Sequence, residues 1–153
     1  MVTGANGLLG QKLIYLLKSR SDIDLIATGR GENRLLSIDN YKYISLDITN
    51  ENKVKNIIEN ESPDSIIHCA AMTNVDACEL DKNNCWLVNV KAVEFIANSA
   101  KKIGAHLLHI STDFVFDGNS GPYNENDTPN PLHYYAESKL ASEKLVQNIC
   151  SKW

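Results

Sequence analysis

Short continuous apolar runs alternate along the chain with stretches in which apolar residues recur every three or four positions. Leu9, Leu13, Leu16 and Leu17 share one helical face after a glycine-rich loop, and Val54, Ile57 and Ile58 mark a second helix that Pro63 closes. Trp86, Val90, Val93, Ala97 and Ala100 form a long third stripe, with Lys101 and Lys102 in its last turn and Gly104 as its cap. Strands are predicted at residues 24–28, 43–46, 65–69 and 106–110, with a strand stub before the glycine loop. A polar loop over 117–130 follows. Asn130 and Pro131 then read as the N-cap and first residue of a last helix that runs towards Cys150.

Strands that are apolar throughout, separated by amphipathic helices, belong to parallel sheets covered on both faces. The expected fold class is therefore α/β, a doubly wound parallel sheet, whose ligands bind beyond the carboxyl ends of the strands. Residues 1–153 make one domain. Only Met1 and Val2 precede the glycine loop, whereas a strand usually has about five residues. The last helix ends where more sheet is expected, so the domain reads as a fragment, clipped slightly in front and heavily behind.

The composition adds exclusions. The net charge of −4 and the lack of a basic run argue against nucleic acid as a partner. No stretch approaches the roughly 20 apolar residues of a membrane span. Cys69, Cys78, Cys85 and Cys150 show neither a CxxC pair nor metal-ligand spacing, which suits free thiols in a reducing compartment and a cytoplasmic protein. His68, His106, His109 and His133 include no i,i+4 helical pair, so core or surface histidines are expected and no metal.

The segment Thr-Gly-Ala-Asn-Gly-Leu-Leu-Gly, residues 3–10, stands between the strand stub and the first helix. In that context Gly4 permits a sharp turn, Gly7 admits a pyrophosphate to the backbone, and Gly10 lets the helix pack on the sheet. The helix-start amides then face phosphate charge. Gly4, Asn6, Gly7, Leu8, Leu9 and Gly10 are the expected dinucleotide contacts here. The GxxGxxG spacing resembles that of the extended short-chain dehydrogenase/reductase family, which implies a Rossmann-like fold and a nicotinamide cofactor. The second strand ends at Thr28-Gly29-Arg30-Gly31, without the carboxylate that NAD sites place on the ribose. The Arg30 guanidinium suits a 2′-phosphate instead, so NADPH is preferred to NADH.

Tyr135 and Lys139 lie four apart on the last helix and share one face. A free tyrosine titrates near pH ~10, too high for ready proton exchange at neutral pH. An ammonium about 5 Å away stabilises the phenolate by roughly 3 kcal/mol at an effective dielectric near ~20. Lys139 is thus expected to depress the Tyr135 pKa and also to bond the nicotinamide ribose. Thr112, at the end of a strand, can bond a substrate carbonyl, and Tyr135 can deliver a proton to its oxygen. Thr112, Tyr135 and Lys139 form the candidate catalytic trio.

Within the extended family, the runs HCAAMTNVDACE, VNVKA, HISTDFVFDG and PYNENDTPNPLHYYAESK are most similar to those of the dTDP-4-dehydrorhamnose reductases, over essentially the whole chain. The resemblance implies reduction of a nucleotide-linked 4-keto-6-deoxy sugar, dTDP-4-dehydrorhamnose, to dTDP-L-rhamnose. It implies that Asp47 and Ile48 contact the adenine, and that Cys69, Ala70, Ala71, Thr73 and Asn89 border the cofactor. It further implies that Thr112 and Asp113 touch the sugar. Some members carry a glutamate in a metal-bridged dimer where Lys12 stands, so a homodimer is an implied partner state but a metal is not. The substrate domain of the family is absent from this stretch. Two alternatives stay open: a nucleotide-sugar epimerase or dehydratase of the same family, and a non-catalytic regulatory subunit resembling the methionine adenosyltransferase β subunit.

Overall fold

The computed structural model describes residues 1–36 and 39–153. Five parallel strands, β1 (Val2–Thr3), β2 (Ile26–Gly29), β3 (Lys42–Ser45), β4 (Ser65–His68) and β5 (His106–His109), lie in the order β3-β2-β1-β4-β5. The helices are α1 (Leu8–Leu17), α2 (Glu51–Glu61), α3 (Val75–Leu80), α4 (Lys82–Trp86), α5 (Ala92–Ile103) and α6 (Tyr134–Ile149). The doubly wound parallel sheet expected from the sequence is the fold observed.

Alternation along each strand splits the core between the two faces of the sheet. Met1 and Ile66 face a cluster with Val54 and Ile58 of α2, Val93, Ile96 and Ala97 of α5, and Val146 of α6. Val2, Ala27 and the half-buried Ile67 face the other way, towards Ile14 of α1 and Leu25 and Leu35. Two caps bound the helices as polar chemistry dictates: the Asn50 side chain accepts from the Lys53 amide, and Gly104 closes α5 in the left-handed conformation.

Strand order reverses between β1 and β4, and there the chain leaves both strands at their carboxyl ends, at Gly4 and Cys69. Such a switch point opens a crevice, because the connections depart in opposite directions.

One helix was unforeseen and two expectations are corrected. The short helix α3 was not predicted, and its start is set locally by the Asn74 side chain accepting from the Ala77 amide at 2.8 Å. The long stripe through Trp86 is two helices joined by a π-helical turn, Leu87–Lys91, which turns Asn89 inward. The last helix starts at Tyr134, not Pro131: the His133 ring accepts from the Ala136 amide at 3.2 Å and caps it. Asn130 serves the preceding loop instead, its amide bonding the Val115 carbonyl at 2.8 Å and its side chain donating to Asp117 at 2.9 Å.

Candidate active site at the carboxyl edge of the sheet

The glycine loop is shaped by close approach. Gly4 has φ +69°, and a Cβ there would lie 2.7 Å from the Ala70 amide nitrogen. At Gly10 a Cβ would run into the Gly4 carbonyl oxygen and lie 2.8 Å from Ala5 Cα. The loop therefore hugs the end of β4. Gly7, as N-cap of α1, brings no side chain to cap it, so the first amides of the helix open onto the crevice.

Two cavities adjoin along this loop and share Gly4, Gly7, Cys69, Ala70 and Ala71 in their walls. The first, about 310 Å³, is also lined by Leu8, Leu9, Gly10, His68, Thr73, Ile110, Ser111, Tyr135 and Lys139. The second, about 410 Å³, runs over the end of β2 past Asn6, Gly29, Arg30, Arg34, Leu46, Asp47, Ile48 and Thr49. Most of the cofactor contacts expected from the sequence thus border one continuous groove. Small residues floor its middle, where bulk would block an elongated ligand.

Tyr135 and Lys139 are buried, at 8% and 3% exposure, and both line the first cavity. Lys139 Nζ donates to the Ile110 carbonyl at 2.6 Å and lies 3.3 Å from His109 Nε2. Burial brings the Lys139 pKa down to about 8, with Glu143 pulling it the other way. The Tyr135 phenol is pushed up by burial, opposed by a side-chain hydrogen bond with Thr112. This corrects the expected depression of Tyr135. The tyrosine is desolvated among Cys78, Cys85 and Met72, and the lysine charge is committed to Ile110. Phe114 stands edge-on to the Tyr135 ring at 6.5 Å, and the His133 ring lies nearly parallel to it at 6.1 Å.

Thr112 and Asp113 form the rim beside the phenol rather than its wall. The Thr112 hydroxyl accepts from the Phe114 amide at 3.3 Å and caps the 3₁₀ turn Asp113–Val115. Asp47 Oδ1 accepts from both the amide and the hydroxyl of Thr49, and these bonds lower its pKa.

Two sequence-predicted residues are occupied otherwise. Asn89 lies behind the wall, 1% exposed: its Oδ1 accepts from the Met72 amide at 2.8 Å, and its Nδ2 donates to the Met72 carbonyl and to Ser138 Oγ, each at 3.0 Å. It braces the segment after Ala71 against α6. Asn6 lines the second cavity, but its amide is bonded to the loop after β2.

Sequence reasoning passed over Arg34 and left His68 as a core or surface histidine. Arg34, four positions after Arg30, was a visible signal. His68 is buried, and it also faces the first cavity. Its ring stacks on His109 with centroids 5.5 Å apart, and its Nδ1 shares a 2.6 Å hydrogen bond with Thr3 Oγ1. Burial, aided by the Lys139 charge, keeps both imidazoles neutral, with His109 down to about 3. His68 Nε2 has no hydrogen-bond partner among the described residues, which leaves a buried polar atom at the cavity wall. The glycine cradle, the uncapped helix start, the small-residue floor and this atom fit a dinucleotide with a polar ring end. Among the described residues no cluster could hold a metal ion, and no helix is long and apolar enough to cross a membrane.

Fold and crevice together define a chain of the short-chain dehydrogenase/reductase class. A family model described as the RmlD substrate binding domain matches residues 1–153, and the chain belongs to that family. The dTDP-4-dehydrorhamnose reductase of Aggregatibacter actinomycetemcomitans is 39% identical, the match covering 99% of this chain and 48% of that protein. The methionine adenosyltransferase 2 subunit beta of Danio rerio is 38% identical over 98% of this chain and 44% of its own. A dTDP-4-dehydrorhamnose reductase of Bacillus anthracis, solved in complex with NADP, superposes with a TM-score of 0.79 at 32% identity, over 99% of this chain and 49% of that one. The chain thus spans about half the length of the curated relatives it matches.

Proposed function

We propose that the full-length protein reduces a nucleotide-linked 4-keto-6-deoxy sugar, dTDP-4-dehydrorhamnose to dTDP-L-rhamnose, with NADPH preferred to NADH. The observation that carries this reading is the burial of Tyr135 and Lys139 side by side on the wall that the glycine loop also lines.

A nicotinamide dinucleotide bound in the groove supplies the hydride. Gly4, Gly7 and Gly10 with the α1 amides would hold its pyrophosphate, Asp47 and Ile48 its adenine, Arg30 its 2′-phosphate, and Cys69, Ala70, Ala71 and Thr73 its length. Tyr135 holds a proton at its phenol oxygen and, being raised by burial, keeps it at neutral pH. A phenol raised in this way gives up its proton only to an oxygen that is gaining negative charge, and a positive charge beside it would be needed to draw its pKa back towards neutrality during turnover. Thr112 orients that carbonyl from the rim, with Asp113 beside it on the sugar. Lys139, fixed by the Ile110 carbonyl, keeps a positive charge under the reacting end. The four free cysteines suit a reducing cytoplasm, and the resemblance of the chain implies pairing with a second copy.

The full-length protein, given NADPH and dTDP-4-dehydrorhamnose, is expected to consume the nicotinamide absorbance stoichiometrically with sugar. The near-equal similarity to a methionine adenosyltransferase β subunit supports a second reading, a regulatory subunit that binds the dinucleotide without turnover. Tight cofactor binding with no oxidation in that assay would select it.

A further inference from the structure

The loop after β2 is held by two side chains from other parts of the fold. Asn6, between Gly4 and Gly7, places its Nδ2 2.9 Å from the Glu32 carbonyl, 3.2 Å from the Arg30 carbonyl and 3.0 Å from the Tyr43 hydroxyl. Its Oδ1 accepts from the Arg34 amide at 3.0 Å. Tyr43, on β3, points its hydroxyl at the carbonyls of Gly29 and Gly31, each at 3.1 Å, and of Glu32 at 3.3 Å. Gly29 passes so close that a Cβ there would lie 3.0 Å from the hydroxyl and 3.1 Å from Asn6 Nδ2. The backbone from Gly29 to Arg34 is thereby gripped at both ends and in the middle.

This grip presents two arginines to one cavity. Arg30 and Arg34 both line the space over the end of β2, and neither forms an ion pair among the described residues. The acidic residue on the same wall, Asp47, has Oδ1 taken up by Thr49. Guanidinium groups hold a phosphate dianion well only when the backbone that carries them is already ordered, because ordering at the moment of binding subtracts from affinity.

We propose that Asn6 and Tyr43 are positioning residues which set the preference for a 2′-phosphorylated dinucleotide, by clamping the loop that carries Arg30 and Arg34. The proposal rests on the dinucleotide reading above and adds Arg34 as a second phosphate-facing cation. It also reassigns Asn6: its side-chain amide serves the loop and not the cofactor. Because Asn6 sits in the glycine loop, a single residue couples the pyrophosphate end of the groove to the 2′-phosphate end.

The test titrates NADPH and NADH separately into the full-length protein, following nicotinamide fluorescence, for wild type, Asn6→Ala, Tyr43→Phe and the double variant Arg30→Ala/Arg34→Ala. Asn6→Ala is expected to weaken NADPH by about 10-fold and NADH by less than about 3-fold, and Tyr43→Phe to shift the ratio the same way by less. In the cofactor-free protein, amide exchange at Arg34 is expected to accelerate in Asn6→Ala. Equal weakening of both cofactors, or no change in either, overturns the clamp. Tyr43→Phe removes a single hydroxyl and decides the matter if Asn6→Ala does not fold. The double arginine variant separates the two levels. A collapsed NADPH preference there with an intact preference in the clamp variants sinks the clamp alone, whereas an intact preference in the arginine variant sinks the 2′-phosphate reading itself.

Discussion

Lys139 Nζ donates to the carbonyl of Ile110 at 2.6 Å, and this bond ties the middle of α6 to the segment leaving β5. The ammonium reaches that carbonyl by being buried, with 3% exposure and no ion pair among the described residues, although the Glu143 charge acts on it. The fold therefore carries a desolvated charge at the place where the proposed chemistry needs one.

The first prediction follows from that burial. A lysine whose pKa falls from 10.5 to about 8 on folding binds fewer protons in the folded than in the unfolded protein between those pH values. Its contribution to stability therefore improves as pH rises through that window and is unfavourable below it. Relative to Lys139→Met, wild type should gain about 3 kcal/mol of stability as pH rises from about 8 to 10.5, on top of a pH-independent cost of about 1–3 kcal/mol in the variant, where the Ile110 carbonyl loses its donor. Paired denaturant titrations across that range check it, and turnover should be lost in the same variant. A constant stability difference at all pH values would contradict the assignment.

Gly10→Ala tests the glycine loop without touching chemistry. The added methyl meets the Gly4 carbonyl and Ala5 Cα, which are backbone and cannot swing away. A loss of about 2 kcal/mol or more in unfolding free energy is expected, with weaker dinucleotide binding. An unchanged unfolding midpoint would show that α1 does not pack as described.

Much of this was legible in the sequence. Four strands and helices α1, α2 and α5 follow from periodicity, since a long element repeats its pattern often enough to stand out. α3 escaped because its six residues carry barely one and a half turns of pattern. The start of α6 was misplaced because Asn130 and Pro131 carry a strong local signal, while the partners that claim Asn130, Val115 and Asp117, lie 13 or more positions upstream. Sequence order likewise brought Tyr135 and Lys139 to one face. The burial that raises one and lowers the other depends on Cys78, Cys85 and the carboxyl end of β5, which spacing along a helix does not reveal.

Asn89 should matter for the groove although it does not line it. Its amide satisfies both backbone groups of Met72, which are partly buried, and the buried hydroxyl of Ser138. Asn89→Ala strands those groups and is expected to lower stability by about 1–3 kcal/mol. Dinucleotide affinity should fall with it, because the Ala70 and Ala71 wall loses its brace. Thermal unfolding with and without cofactor reads both effects, and full retention of affinity would remove Asn89 from any supporting role.

Thr112→Val keeps shape at the rim and removes the hydroxyl. Turnover is expected to fall about 10²-fold with cofactor affinity unchanged, because an orienting hydrogen bond is lost at the carbonyl. Steady-state rates beside cofactor titrations check it, and a matching fall in cofactor binding would point to a structural role for the turn at Asp113–Val115.

The most direct measurement compares Tyr135→Phe with wild type in the full-length protein, reading dinucleotide affinity and single-turnover reduction of dTDP-4-dehydrorhamnose in the same preparation. Removal of one phenolic oxygen should leave the affinity within about 2-fold and slow reduction by at least about 10³-fold. Reduction at the wild-type rate, with the dinucleotide bound, would show that the proton comes from elsewhere.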